Sequence, residues 1–318
     1  MEQKAIQVGA AVLTLALLLR LAGSWEQAGF QVGRTLLFFS SGRLVTETQP
    51  PQAEEVPESV SSPLPEEEAA VPAFGESEEA LVQVSADWQV DILSLLRQPL
   101  DWELKGEKPT VLILHTHGTE SYEPDGSYQE SSAYRTLDTD HNMVSVGERV
   151  AQLLEAGGIR VIHDRTLHDY PTYNNAYGNA RQAIEACLEE NPSVCLVLDL
   201  HRDAAEDASG KQKVSTASVE GRTTAQLMLV MGSDKGSLSY PHWEKNLALA
   251  VKLQAQLEQT HPGLCKSIKL ASSRYNQDLS TGALLIEVGT AGNTHEQALA
   301  AAEYLAEGIL SLANGANH

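Results

Sequence analysis

The chain has 318 residues, of which 42% are hydrophobic and 5% aromatic, and its formal net charge is −21. That composition suits one moderate α/β core with added segments rather than two large cores. The acidity argues against nucleic acid as a partner, because phosphates require a basic footprint that residues 108–318, at a net −10, do not supply.

At the N-terminus, residues 5–19 (AIQVGAAVLTLALLL) are apolar and uncharged, Lys4 precedes them, and Arg20 can snorkel at the far end. Residues 1–23 therefore read as a transmembrane anchor, with a cleaved signal peptide and a buried helix as the competing readings. Either of the first two puts the remainder outside the cytoplasm, so the expectation is a single-pass membrane protein with an extracytoplasmic catalytic domain. Residues 24–45 mix apolar side chains with Arg34 and Arg43 and suit a juxtamembrane segment. Residues 46–87 hold ten Glu, one Asp, no Lys or Arg, and Pro at 50, 51, 57, 63, 65 and 72, giving −11 of the net charge. Such a tract cannot bury enough apolar surface to offset its ordering entropy, which predicts a disordered tether. Residues 88–107 form a pre-domain segment.

From residue 108 to 318, short β-branched or apolar runs alternate with amphipathic stretches of helical length. This predicts an α/β domain with a largely parallel sheet covered by helices on both faces. Strands are expected at 110–114, 160–163, 194–200, 225–231, 267–271 and 283–288, and helices at 142–156, 173–189, 242–259 and 294–312. Three long polar loops, 116–140, 202–224 and 272–282, flank the most apolar strands and suit a substrate-binding rim. Cys187, Cys195 and Cys265 are too few and scattered for a zinc ribbon or a disulfide framework and read mainly as small core residues, with one disulfide left open.

The chemistry concentrates where three apolar runs end: VLILHTHGTESY (111–122), CLVLDLHRD (195–203) and ALLIEVG (283–289). Carboxyl ends of parallel strands share one edge of an open sheet, so His117, Glu120, His201 and Glu287 are expected to converge. His117, Glu120 and His201 make a two-histidine, one-glutamate set suited to Zn2+ with a fourth position for water. His115, two residues before His117, is expected on the same side of the strand. Asp199 shares the parity of His201 and is placed to hold its second ring nitrogen. His141, near the start of the helix expected at 142, rivals Glu120 as third ligand. Arg202 either stabilises an oxyanion, binds a substrate carboxylate, or pairs with Asp203. Glu287 is the most informative residue, because a carboxylate inside a buried strand is costly unless paired, protonated or used. Its structural alternative is an ion pair with Arg135 or Arg274. There is no G-x-S-x-G, H-E-x-x-H, phosphate loop or G-x-G-x-x-G, which weakens serine hydrolase, zincin, nucleotidase and dinucleotide readings.

HTHGTESY (115–122), YRTLDTDHNMVSVG (134–147), DRTLHDYPTYNNAY (164–177), LDLHRDA (198–204), YNQDLS (275–280) and LIEVGTAGNTHEQA (285–298), taken together and in this order, resemble the stage II sporulation protein P family. That family is related to the zinc-dependent N-acetylmuramoyl-L-alanine amidases. The resemblance implies a membrane-anchored peptidoglycan hydrolase that cuts stem peptides from the glycan during engulfment, with an added endopeptidase activity on cross-links. It also implies two partners, a stage II sporulation protein D-like lytic transglycosylase and a membrane scaffold. By the same resemblance His117 and His201 are metal ligands and Glu287 is the catalytic glutamate. At the third ligand the sequence departs from the general amidases, offering Glu120 where they place a glutamate just before the helix that begins here at Asn142. Two other readings stay open: a non-catalytic wall-binding scaffold that recruits hydrolases, and a zinc peptidase of wall peptides alone.

Overall fold

The computed structural model describes residues 74–100, 102–124, 126, 128 and 134–315. The expected anchor, the juxtamembrane segment and most of the tether lie outside the described residues. Among the described residues no helix is long and apolar enough to cross a membrane.

A seven-stranded mixed sheet organises the chain, in the order β1 (Val84–Ser85), β8 (Ile268–Leu270), β7 (Leu227–Met231), β9 (Ala283–Thr290), β4 (Leu196–Asp203), β2 (Val111–Leu114), β3 (Val161–His163). All neighbouring pairs are parallel except β7 with β9, which is antiparallel. Strand parity divides the sheet into two faces. Val111, Ile113, Leu196, Leu198, Leu284 and Ile286 enter the larger core with α3 (Met143–Ala156) and α6 (His295–Gly315). Leu112, Leu114, Val197 and Ala283 turn the other way and pack with Ala180 and Ile184 of α4 (Ala176–Glu190). The remaining long helix, α5 (Trp243–Thr260), packs against β7 and α6.

Local signals explain the elements next to the site. Asn142 caps α3 by accepting a hydrogen bond from Val144 N, and its Nδ2 donates to Thr136 O, fixing the incoming loop. Buried Asn246 of α5 donates to Gln277 O and Ser280 O and accepts from Ala283 N, which anchors the loop leading into β9. Beyond Glu287 the ladder with β4 shifts register, and within this part of β9 Gly289 has φ +71° and a Cβ there would approach Ala225 and Asn293 to 2.8 Å, so glycine is required.

Two expectations need correction. Residues 74–87, assigned by composition to the disordered tether, instead form a helical turn, α1 (Glu76–Glu79), and the edge strand β1, which pairs with β8. The tract average hides a local apolar set, Phe74, Val82 and Val84, that packs on the core. Residues 88–107 belong to the same fold, with α2 (Ile92–Arg97) burying Leu95 and Leu96. The second correction concerns loop 202–224, which contains a hairpin of β5 (Thr216–Val219) and β6 (Arg222–Ala225). Its turn residues Glu220 and Gly221 both have positive φ, the conformation that suits a two-residue hairpin loop to the strand twist.

Candidate functional site

The site lies at the carboxyl ends of β2, β4 and β9. In the parallel ladder of β4 and β9, His201 is paired in register with Glu287, so the two side chains leave the same face of the sheet. After β2 ends at Leu114, a tight turn closed by Glu120 N donating to His117 O, 3.0 Å, carries Glu120 back over the strand ends. Its Oε2 lies 3.6 Å from His201 Nδ1 and accepts from Arg202 N at 3.2 Å. The rings of His117 and His201 meet edge to face with centroids 5.3 Å apart.

The surrounding residues orient these groups. Asp199 accepts from Thr116 N and Thr116 Oγ1, and its Oδ1 sits 3.0 Å from His201 Nε2 without hydrogen-bond alignment. Arg202 is buried. Its Nε donates to Ser121 O, its Nη2 to Tyr134 O, and its Nη1 lies 3.8 Å from Glu120. The guanidinium thus holds the loop that carries Glu120. The ion pair with Asp203 is not made, since Lys266 takes that carboxylate at 3.5 Å.

His115 also departs from expectation. It continues the parity of Val111 and Ile113, so its ring enters the core beneath α3. There Nδ1 lies 3.1 Å from Leu200 O and Nε2 lies 2.9 Å from His163 Nε2. Gly147 of α3 makes the room, because a Cβ there would stand 2.5 Å from the His115 ring. His117 escapes this parity because the strand has already ended. His141 is held by Asp138 at 2.9 Å and stacks on Tyr128, next to His295, so Glu120 and not His141 is the third group against His201.

Sequence reasoning missed four residues. Buried Asp169 accepts from Thr119 N, Thr119 Oγ1 and Arg135, and lies 4.0 Å from His117 Nδ1. Arg135 also stands 3.6 Å from Glu120. Tyr173 stacks on the His117 ring at 4.5 Å, and Tyr177 meets it edge-on at 5.6 Å. All but Arg135 come from the DRTLHDYPTYNNAY segment, whose density of histidine, aspartate and tyrosine beyond a strand end was the available signal.

Electrostatics separates the two glutamates. Burial alone pushes the Glu120 carboxyl up, but His201, Arg202 and His117 together outweigh it and hold the pKa at about 2. Burial also dominates at Glu287, where His201 and Arg202 pull down less than burial, Glu120 and Asp203 push up, and the pKa reaches about 8. The ion-pair alternatives are absent, since Arg135 engages Asp169 and Glu120 while Arg274 engages Asp278. Glu287 Oε2 is buried with no hydrogen-bond partner, as are His117 Nδ1 and His201 Nε2. Burial lowers the His117 pKa, whereas Asp199 and Glu120 overcome burial at His201 and raise it well above the ordinary value.

His117, Glu120 and His201 fit a divalent cation by donor chemistry and by the orphaned Nδ1 of His117. The 3.6 Å between His201 Nδ1 and Glu120 Oε2 is near the roughly 3.4 Å separating two donors that each lie about 2.1 Å from a tetrahedral zinc. The present spacing is looser than a filled coordination sphere: among the described residues no three His, Cys, Asp or Glu side chains are grouped to hold an ion. Cys187, Cys195 and Cys265 form no disulfide. A cavity of about 270 Å³ lies at the opposite strand ends, lined by Trp102, Cys195 and Gly282, away from the histidines.

Fold and site together define a mixed α/β protein with a buried His, His, Glu cluster and one unpaired carboxylate at the carboxyl edge of its sheet. The family described as Stage II sporulation protein P matches residues 40–310, and the chain belongs to that family. Stage II sporulation protein P of Bacillus subtilis (strain 168) is 30% identical over 213 residues, covering 64% of this chain and 50% of its own length. The chain thus spans about half the length of that curated relative. Among solved structures, N-acetylmuramoyl-L-alanine amidase AmiC2 of Nostoc punctiforme is 15% identical with a TM-score of 0.39, covering 67% of this chain and 97% of its own. An N-acetylmuramoyl-L-alanine amidase from Clostridium difficile 630 is 16% identical with a TM-score of 0.39, covering 65% and 95%. A metallo-carboxypeptidase from Burkholderia cenocepacia is 11% identical with a TM-score of 0.32, covering 64% and 57%. Likeness at these scores adds no weight to the site, which stands on its own geometry.

Proposed function

We propose that this chain is a zinc-dependent peptidoglycan hydrolase that cleaves the amide between N-acetylmuramic acid and the L-alanine of the stem peptide. The observation that carries the reading is Glu287: a half-buried residue whose carboxylate oxygen Oε2 is buried without a hydrogen-bond partner, in register with His201, at the rim where His117 and Glu120 also arrive. Membership of the Stage II sporulation protein P family supports a role in the cell wall during sporulation, and we propose engulfment as its setting, with a stage II sporulation protein D-like transglycosylase and a membrane scaffold as partners. The apolar run at residues 5–19 motivates the further proposal of an extracytoplasmic catalytic domain anchored through residues 1–23, with a secondary endopeptidase activity on cross-links.

His117, Glu120 and His201 would hold the zinc, which when bound lowers the pKa of a coordinated water and polarises the scissile carbonyl. Glu287 takes the proton of the attacking water and returns it to the leaving amine, a role suited to a carboxyl whose pKa is raised toward neutrality. The Asp199 carboxylate, 3.0 Å from His201 Nε2, favours the charged imidazole by proximity, and Arg202 fixes the loop that presents Glu120.

The test is digestion of intact sacculi by the purified full chain loaded with zinc. Release of peptides bearing a new L-alanine N-terminus, abolished by chelation and restored by zinc, is the expected result. Metal-loaded protein that binds sacculi and releases nothing would support the scaffold reading. Release of peptides cut only between stem residues would make it a peptidase.

A further inference from the structure

Several hydrogen-bond donors around His117, Glu120 and His201 are committed to the protein itself. Arg202 directs Nε and Nη2 to Ser121 O and Tyr134 O, Thr119 Oγ1 and Arg135 Nη1 bond Asp169, and Thr116 Oγ1 bonds Asp199. Tyr177 differs. Its ring, in the first turn of α4, meets the His117 ring edge-on at 5.6 Å and the Tyr275 ring at 6.2 Å. Among the described residues its hydroxyl makes no hydrogen bond, and unlike Glu287 Oε2 it is not sealed from solvent. A half-buried phenol without a protein partner donates to solvent or to a ligand.

The loop beside Tyr177 is strained. Tyr275 and Asn276 are consecutive non-glycine residues with φ of +51° and +57°, both in the left-handed region. That conformation accompanies a hydrogen bond from Asn276 Nδ2 to Tyr177 O at 2.9 Å. Buried Gln277 pins the same loop, accepting from Gly232 N and donating to Val230 O of β7. Strain beside a site, held by neighbouring bonds, serves to fix a side chain that has to meet a ligand in one geometry.

Charge decides what the hydroxyl meets. A free phenol is already neutral at pH 7, and here burial first, then Asp199, Tyr275, Glu287 and Glu120, push its pKa further up. Glu287 Oε2 does not accept its proton in a hydrogen bond. A permanently anionic ligand group would be repelled by the same carboxylates. A neutral donor in this setting suits an oxygen that is uncharged in the bound amide and gains charge only during reaction.

We propose that the Tyr177 hydroxyl is the oxyanion donor of this site, hydrogen-bonding the oxygen of the scissile amide as that oxygen gains negative charge. This rests on the hydrolase reading above and adds a catalytic residue to it. As water adds to the carbonyl carbon, the C=O π pair moves to the oxygen and a water proton passes to Glu287. When that pair returns, the C–N bond breaks and Glu287 gives the proton to the amine nitrogen. Tyr177 donates to the oxygen throughout and keeps its own proton.

The experiment uses the zinc-loaded full chain, a soluble N-acetylmuramoyl-L-alanyl peptide as substrate, and the same peptide with a phosphinate in place of the scissile amide as a tetrahedral mimic. Tyr177→Phe should lower kcat about a hundredfold, hold KM within about twofold, and weaken phosphinate binding, read by calorimetry, about a hundredfold. Zinc content and thermal midpoint should be unchanged, because the hydroxyl removed makes no bond to the described residues. Asn276→Gly keeps the left-handed backbone, frees Tyr177 O, and should lower kcat about fivefold. Wild-type kcat and phosphinate affinity in Tyr177→Phe, or a loss of kcat that comes with lost zinc or a lowered thermal midpoint, would overturn the donor and leave the hydrolase reading intact. A zinc-loaded wild-type chain that cuts no muramoyl amide would overturn both.

Discussion

Glu120 and Glu287 stand in one site and answer burial in opposite ways. Glu120 reaches it on a turn, surrounded by His201, His117, Arg135 and Arg202, and stays ionised to a pKa of about 2. Glu287 reaches it inside a strand, without a partner for Oε2, and is pushed up to about 8. The difference teaches that partners, not burial itself, divide the carboxylates into one that remains a permanent anion and one that exchanges a proton near neutral pH. A permanent anion suits a cation ligand, and an exchangeable proton suits acid and base work.

The sharpest way to break that division is to neutralise each glutamate in turn. Glu287→Gln should lower the rate of stem-peptide release at least a thousandfold while zinc still binds at one equivalent, measured by product release and by metal content after dialysis. Glu120→Gln should instead weaken zinc binding by about a hundredfold, read by competition with a chelator, and recover part of its activity in excess metal. Equal loss of metal in both variants would erase the distinction.

Stability against pH gives a smaller but independent reading in the metal-free chain. The folded pKa of Glu120 lies below its ordinary value of 4.5, so its contribution is present above pH 4.5 and is lost as pH falls toward 2. The folded pKa of Glu287 lies above 4.5, so it has no effect in acid and destabilises progressively as pH rises from 4.5 to about 8. Denaturant unfolding at pH 8.5 should therefore find Glu287→Gln more stable than wild type and Glu120→Gln less stable, each by on the order of 3 kcal/mol. The Glu287→Gln difference should vanish near pH 4. Smaller still is Arg202→Lys, which removes the guanidinium fork from Ser121 O and Tyr134 O and should cost about 2 kcal/mol, with zinc affinity falling as Glu120 loosens.

The strand-borne half of this comparison was legible in the sequence. Continuous apolar runs locate β2, β4 and β9, and parity along LVLDLHRD and ALLIEVGT puts Asp199, His201 and Glu287 on one face. The loop-borne half was legible only as candidates. Parity put His115 beside His117, but β2 stops at Leu114, and only the packing of Gly147 and His163 shows His115 turning into the core. The role of Arg202 depends on the carbonyls of Ser121 and Tyr134, whose positions no local pattern encodes. Asp169 and Tyr173 reach His117 from a segment some fifty residues away in sequence, by tertiary contact alone.

The most direct test of the division between the two glutamates is a crystal structure of the zinc-loaded chain. It should show His117, Glu120 and His201 each about 2.0–2.2 Å from the ion, with Glu287 outside that sphere and hydrogen-bonded to the coordinated water. Direct ligation by Glu287, or His141 in the place of Glu120, would contradict it.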